Sequence, residues 1–262
     1  MKRHILAWIV LATVAFGLPR QAFLMQWKAA NDGYPNVTDG LVAWWKMDAA
    51  SWDGTAGEVI DSFGDSDGVT KNGTQTADGK INRAGNFIKA NQQYITTSTN
   101  ASVSGFSEVS LSCWIKPNTV TVRGDIFYWF RNVGGSARLV FRIGNDGTGS
   151  CGVYARSTDE TGSSVYTGNV LSANRWQHIV AVLDLPSDSV KIYVDGTERP
   201  TTGAPNWSED TFVDPVIGKF PPAIGSNPTG AGNWFDGLID DARIYNRVLT
   251  SEEITTIYKW EE

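Results

Sequence analysis

Apolar positions along this chain come in short bursts separated by dense turn signals, and most bursts alternate with period two. Val109-Ser110-Leu111-Ser112-Cys113-Trp114-Ile115 places Leu111, Cys113 and Ile115 on one face. Arg138 to Ile143 alternates again and stops at the hairpin turn Asn145-Asp146-Gly147. Trp176 to Leu183 and Ser189 to Val194 read as strands joined through Leu185-Pro186-Ser187-Asp188, and the second ends at Asp195-Gly196. Asp125 to Phe130 is almost continuously apolar, the pattern of a strand buried on both faces. Gly40 to Met47 opens the series and Leu238 to Tyr245 closes it. One helix is predicted, with Thr250 as N-cap, Glu253 at the third helical position, and Ile254, Ile257 and Tyr258 on one face. No helical pattern lies between strands, which disfavours a parallel sheet with crossover helices. The predicted fold is all-β: a two-sheet antiparallel β-sandwich, or jelly roll, with one short C-terminal helix.

The N-terminus follows a different pattern. Lys2, Arg3 and His4 precede an apolar run from Ile5 to Leu18. That run is shorter than the roughly 20 residues a spanning helix needs and suits the core of a signal peptide. Residues 1–22 are therefore expected to be a signal peptide or, if retained, an N-terminal anchor. Residues 23–39 read as a linker and 40–262 as a single domain. The expected location is secreted or cell surface.

Composition narrows the function classes. The chain has 262 residues, a formal net charge of −6, 11 tryptophans, two cysteines and two histidines. The acidic balance argues against nucleic acid, which needs clustered Lys and Arg. With His4 in the leader, His178 remains, and its place within a strand favours a structural role. The even pair Cys113 and Cys151 in an exported chain suits a disulfide, although Cys113 also suits a small core position.

Four ordered segments resemble the laminin-G-like jelly rolls of the concanavalin A-like lectin/glucanase superfamily. They are Gly40 to Asp48, Phe106 to Pro117, Arg175 to Ala181 with Lys191 to Gly196, and Phe235 to Leu249 with Ser251 to Ile254. The resemblance implies two curved sheets packed face to face. Cys113 stands where a small residue is usual, and Asp241 where Glu is common.

The glucanases of this superfamily carry a strand motif in which Asp follows Glu by two positions and a second Glu follows three later. None of the nine glutamates here has an Asp two positions on, so no enzyme of that type is expected, and a glycan-active hydrolase is a lesser alternative. Gly64-Asp65-Ser66-Asp67-Gly68 matches a nucleophile pattern, but neither a strand before it nor a helix after it supplies the required elbow. The Asp61 to Gly68 loop reads better as oxygen-rich, suited to calcium. The resemblance adds that many such folds bridge an early loop to the last strand with calcium. Asp48, Asp65, Asp67 and Asp240 are the candidate ligands of a structural ion. Asp240 alternates with Ala242 and Ile244, so it is expected to face the packed side and to need a partner, either a metal or backbone amides with an arginine.

Tryptophans also stack on sugars. Trp44, Trp45, Trp114 and Trp176 match frame positions, Trp129 sits in an apolar strand, and Trp260 sits on the last helix. Trp52, Trp207 and Trp234 lie in Gly/Ser/Asn/Asp-rich loops and are the candidate ligand-binding residues. Together these features predict an exported, non-catalytic, lectin-like module that binds a glycan or surface protein at the sandwich edge. The alternative of another class is a self-assembling structural subunit of a filament, surface layer or virion coat. Contact with a membrane is expected only if the N-terminal segment is retained.

Overall fold

The computed structural model describes residues 37–98, 103, 105–130, 137–156, 162–207, 223–225 and 233–259. The leader, most of the linker, Trp8, Trp27 and Trp260 lie outside them.

In chain order the strands are β1 (Leu41–Trp45), β2 (Gly68–Lys71), β3 (Gln75–Asp78), β4 (Arg83–Phe87), β5 (Tyr94–Thr97), β6 (Glu108–Pro117), β7 (Gly124–Phe130) and β8 (Ala137–Ile143). They continue as β9 (Cys151–Arg156), β10 (Gly162–Thr167), β11 (Gln177–Asp184), β12 (Ser189–Val194), β13 (Thr197–Arg199), β14 (Thr201–Thr202), β15 (Ala223–Ile224) and β16 (Gly237–Tyr245). A helix, α1 (Ser251–Lys259), follows. One sheet runs β13-β12-β11-β6-β16-β4-β3, with β1 also pairing β16, and the other runs β14-β10-β9-β8-β7-β15-β5-β2.

The period-two alternation builds the interior. Val109, Leu111, Cys113 and Ile115 of β6 point inward and meet Leu139, Phe141 and Ile143 of β8 and Cys151 and Val153 of β9. Strand β7 is buried along its described side chains, Gly124 to Trp129, as its unbroken apolar run requires. The odd-even rule also fills the outer face of the first sheet. Trp44, Val180, Val182, Tyr193 and Tyr245 form a second cluster there with Ile254 and Ile257 of α1. The helix starts with the predicted reciprocal cap: Glu253 N–H donates to Thr250 Oγ1 at 3.2 Å, and Thr250 N–H donates to Glu253 Oε2 at 2.9 Å. Val37, assigned to the linker from sequence, is buried in this cluster, and its carbonyl accepts from the Tyr245 hydroxyl at 3.0 Å.

One irregularity in β16 sets the stage for the site. Asp240 pairs with Trp114 and Arg243 with Ser112, so two residues of β16, Asp241 and Ala242, stand against one of β6, Cys113. The extra residue is Asp241, at φ +49°. This bulge shifts the phase of the alternation. Ile239, Ala242 and Ile244 face the interior, whereas Asp240, opposite Trp114, faces outward. The expected inward orientation of Asp240 is thus corrected, because a bulge cannot be seen in simple alternation.

Candidate functional site

A cleft of about 310 Å³ opens where the chain leaves β1, lined by Lys46, Met47, Asp48, Ala49, Trp52, Glu58, Val59, Ile60 and Ser62. Its volume falls in the range of small-ligand sites. Ile60 is 64% exposed, an unusual position for so large an aliphatic side chain. Glu58 holds the wall together. Its carboxylate accepts from the backbone N–H groups of Asp53, Gly54 and Thr70 and from the Thr70 hydroxyl. Partial burial opposes ionisation, but these bonds hold the carboxyl below its ordinary range. Lys46 sits with Nζ 4.5 Å from the Trp44 ring centre, and the Arg243 guanidinium lies 4.4 Å from that same ring.

Of the three tryptophans expected to stack on a ligand, Trp52 lines this cleft, but it is only 3% exposed. Trp207 and Trp234 are each 8% exposed. All three are packed side chains, not open stacking platforms. Trp52 and Trp207 join the main core, and Trp234 packs against Tyr94 at 5.6 Å between ring centres. Loop composition could not reveal this, since a polar loop folded over a sandwich edge still turns its largest apolar ring inward. The buried Nε1 of Trp52 and that of Trp207 have no hydrogen-bond partner among the described residues. Lys46, Glu58, Ile60 and Ser62 were missed. Only Ile60, an aliphatic residue between Glu58-Val59 and Asp61-Ser62, left any trace in the sequence.

The four candidate metal ligands separate into two places. Asp65 and Asp67 are exposed, and Asp67 Oδ1 accepts from the backbone N–H of Asp61 at 2.7 Å. The loop around them is organised by Asp61 itself. Its carboxylate accepts from the N–H groups of Trp44, Phe63, Gly64 and Ser66 at 2.9–3.0 Å. Among the described residues no group of three or more His, Cys, Asp or Glu side chains is placed to hold an ion. The four-aspartate set is corrected accordingly. Ser66, the centre of the nucleophile-like pattern, is buried in this turn and leads into β2.

Asp48 and Asp240 form the other place. Asp240 is fully buried and Oδ2 accepts from the N–H groups of Lys80 and Ile81, each at 2.9 Å. Its Oδ1 has no hydrogen-bond partner among the described residues. Burial pushes the Asp240 carboxyl up to about 8; the Ile81 amide opposes this, and the charges of Asp241 and Asp48 add to it. Asp48 accepts from the Arg83 backbone N–H at 3.3 Å and the Asn82 side chain at 3.4 Å. An orphaned buried carboxylate oxygen beside a second carboxylate fits a hard cation; Asp65 and Asp67 do not contribute. Asp241, one residue on, is already neutralised by Arg243 at 2.7 Å.

Cys113 and Cys151 are both fully buried free thiols. The disulfide expectation is corrected: each sits on the inner face of its own sheet and serves as a small core residue. His178 is buried, as its position in a strand suggested. Its Nε2 bonds Ser112 Oγ at 2.9 Å beneath the rings of Trp114 and Tyr258. Burial, then the Arg243 charge, lowers it to about 3. This Ser–His contact is closed off by packed rings and leaves His178 neutral.

A family profile described as the concanavalin A-like lectin/glucanases superfamily, of laminin G type, matches residues 89–255. The chain belongs to this superfamily. The match begins after β4, so the cleft, Asp48 and the Asp61 loop precede it. Among solved structures, domain 4 of AbnA, a GH43 extracellular arabinanase from Geobacillus stearothermophilus, in complex with arabinotriose, is 21% identical with a TM-score of 0.60. The alignment covers 83% of this chain and 98% of that domain. The binding domain of botulinum neurotoxin serotype D/C VPI 5993 is 12% identical at TM-score 0.62, over 86% of this chain and 53% of that one. The ligand-binding domain of botulinum neurotoxin serotype D, in complex with N-acetylneuraminic acid, is 15% identical at TM-score 0.57, over 85% and 51%. The chain thus spans about half the length of these toxin domains. At such identities the likeness concerns the fold. Among curated proteins none matches the chain in sequence.

Proposed function

We propose that this superfamily member is an exported, non-catalytic module that binds a glycan in the cleft between Lys46 and Ser62. The observation that carries the reading is the cleft itself. It combines an exposed aliphatic wall at Ile60 with charged groups on its rim, Lys46, Asp48 and Glu58. Sugars present apolar ring faces and hydroxyls together, and sites for them pair such surfaces with a few placed polar groups. Two of the similar folds carry a sugar ligand, arabinotriose in one and N-acetylneuraminic acid in the other. Among the described residues no helix is long and apolar enough to cross a membrane. Export rests on the charged-then-apolar N-terminal pattern.

In the same reading, Asp240 and Asp48 hold a calcium ion. The ion neutralises the buried carboxylate and ties the outer face of β16 to the segment after β1, one wall of the cleft. Calcium requires six to eight oxygens, so backbone carbonyls and water complete its shell.

The test is a glycan array followed by calorimetry, with arabinotriose and N-acetylneuraminic acid as first probes. Lys46→Ala removes the rim cation, and Ile60→Asp replaces the aliphatic wall with charge. Both are expected to weaken binding. Absence of binding to every glycan on the array overturns the proposal.

A further inference from the structure

We infer a second sugar site, on the outer face of the first sheet beside the start of α1. It extends the glycan-binding reading above and rests on it. A groove of about 390 Å³ lies between β11, β12 and β13 on one side and Val248 to Ser251 on the other. Three features of the sheet build it. Val180, Tyr193 and Glu198 stand in one cross-strand row, Val182 and Lys191 in the next, and Asp184 and Ser189 in a third. The apolar members nearest the helix, Val182, Tyr193 and Leu249, are buried and make the floor. The polar members make the rim.

The rim sets two carboxylates, Asp184 and Glu198, against one ammonium, Lys191. The Tyr193 hydroxyl donates to Glu198 Oε2 at 3.0 Å, and Lys191 Nζ lies 3.7 Å from that same oxygen. Asp184 and the hydroxyl-bearing Ser189, Thr250 and Ser251 complete it. An anionic ligand would find no excess of positive charge, since the one ammonium is already paired with Glu198. A neutral, polyhydroxylated ring suits the groove better. One apolar ring face covers Val182 and Leu249, while its hydroxyls take up acceptors at Asp184 and Glu198 and a donor at Lys191. These groups sit on strands and a capped helix, so the backbone that presents them needs little ordering on binding.

The cleft and the groove use separate residues. The module would therefore engage two sugars of one glycan or of neighbouring glycans, gaining affinity through the second, intramolecular contact.

The experiment is amide chemical-shift mapping of the full chain with arabinotriose as the neutral probe and N-acetylneuraminic acid as the anionic one. Arabinotriose is expected to shift two sets of amides, one around Trp52 and Ile60 and one around Lys191, Tyr193, Thr250 and Ser251. Ser189→Trp fills the groove and should remove only the second set. Glu198→Gln, a milder change, should weaken the second set about tenfold, the loss expected for a hydrogen bond to a charged group. Shifts confined to the cleft overturn the second site and leave the module reading standing. No shifts anywhere overturn both. Groove shifts with N-acetylneuraminic acid alone, or groove shifts unaffected by both variants, also overturn the second site.

Discussion

Asp240 and Asp241 are adjacent in β16 yet meet opposite partners. Asp241 lies 2.7 Å from the Arg243 guanidinium, with both side chains buried, and accepts from the Trp44 indole N–H. Among the described residues Asp240 accepts from backbone amides, and its other oxygen has no hydrogen-bond partner. The bulge at Asp241 makes this division possible, since it gives both carboxylates polar surroundings outside the sandwich core. The consequence is an asymmetry in stability. Asp241→Ala strands a buried guanidinium and should cost about 3–5 kcal/mol. Burial pushes the Asp240 carboxyl up to about 8, so in chelator near pH 7 it is largely protonated, with no ionic partner among the described residues; Asp240→Asn should then cost far less or stabilise. Urea unfolding of both variants in chelator checks the ordering.

Calcium should reverse the second result. With the ion present, wild-type melting rises, because a ligand held only by the folded state stabilises it by mass action. Asp240→Asn and Asp48→Asn should each abolish that rise. Asp65→Asn and Asp67→Asn should leave it intact. Gly79→Ala provides an independent probe, since an added Cβ would lie 2.6 Å from Asp240 Oδ2 and 2.5 Å from the Arg83 carbonyl carbon. It should weaken the calcium response without removing a carboxylate. Differential scanning calorimetry with and without calcium measures all five.

The legible parts of the fold were those whose pattern is local. Strands β1, β6, β7, β8, β11, β12 and β16 and the cap of α1 follow from alternation and a four-residue capping box. Strands β2 to β5 carry little hydrophobic contrast: Gln75–Asp78 has no large apolar residue, and β4 contains a central glycine. Their pairing is imposed by neighbours, as when Ile239 of β16 aligns with Gly85. The site was half legible. Asp48, Trp52 and Asp240 were identifiable by residue type. Their grouping depends on a bulge and on where a loop folds, and neither has a signal in the chain. Burial of Trp207 and Trp234 was invisible for the same reason.

His178 sets an acid limit. Its folded value is about 3 and the unfolded reference is 6.5, so the unfolded chain binds the extra proton between those pH values. Stability contributed by the neutral ring is complete above about 6.5 and falls as pH drops toward 3. The loss amounts to a few kcal/mol at the acid end, at about 1.4 kcal/mol per pH unit. Around the ring stand Ser112, Trp114, Tyr258 and Arg243, and its backbone N–H donates to Asp195. His178→Gln retains a group able to bond Ser112 and cannot take up a proton. Its acid limb should be flatter than that of the wild type in chemical denaturation from pH 7 to 4. Parallel limbs would show that the ring does not carry the effect.

Cys113 and Cys151 offer a readout of global opening. Both thiols are fully buried, one on each sheet, and burial pushes each up from its ordinary value; for Cys113 the neighbouring Cys151 adds to it. Thiolate is the reactive form, so two barriers act at once: access and ionisation. An aromatic disulfide reagent should leave the native chain unlabelled over hours and label two sites per chain in denaturant. Labelling in the native state should then track the same free energy as hydrogen exchange in β6 and β9, because neither thiol is reached unless the sheets part. A native chain that labels at one cysteine only would mean that one sheet opens locally. Cys113→Ala, which loses a buried sulfur from β6, should speed labelling of Cys151 by weakening the same interface.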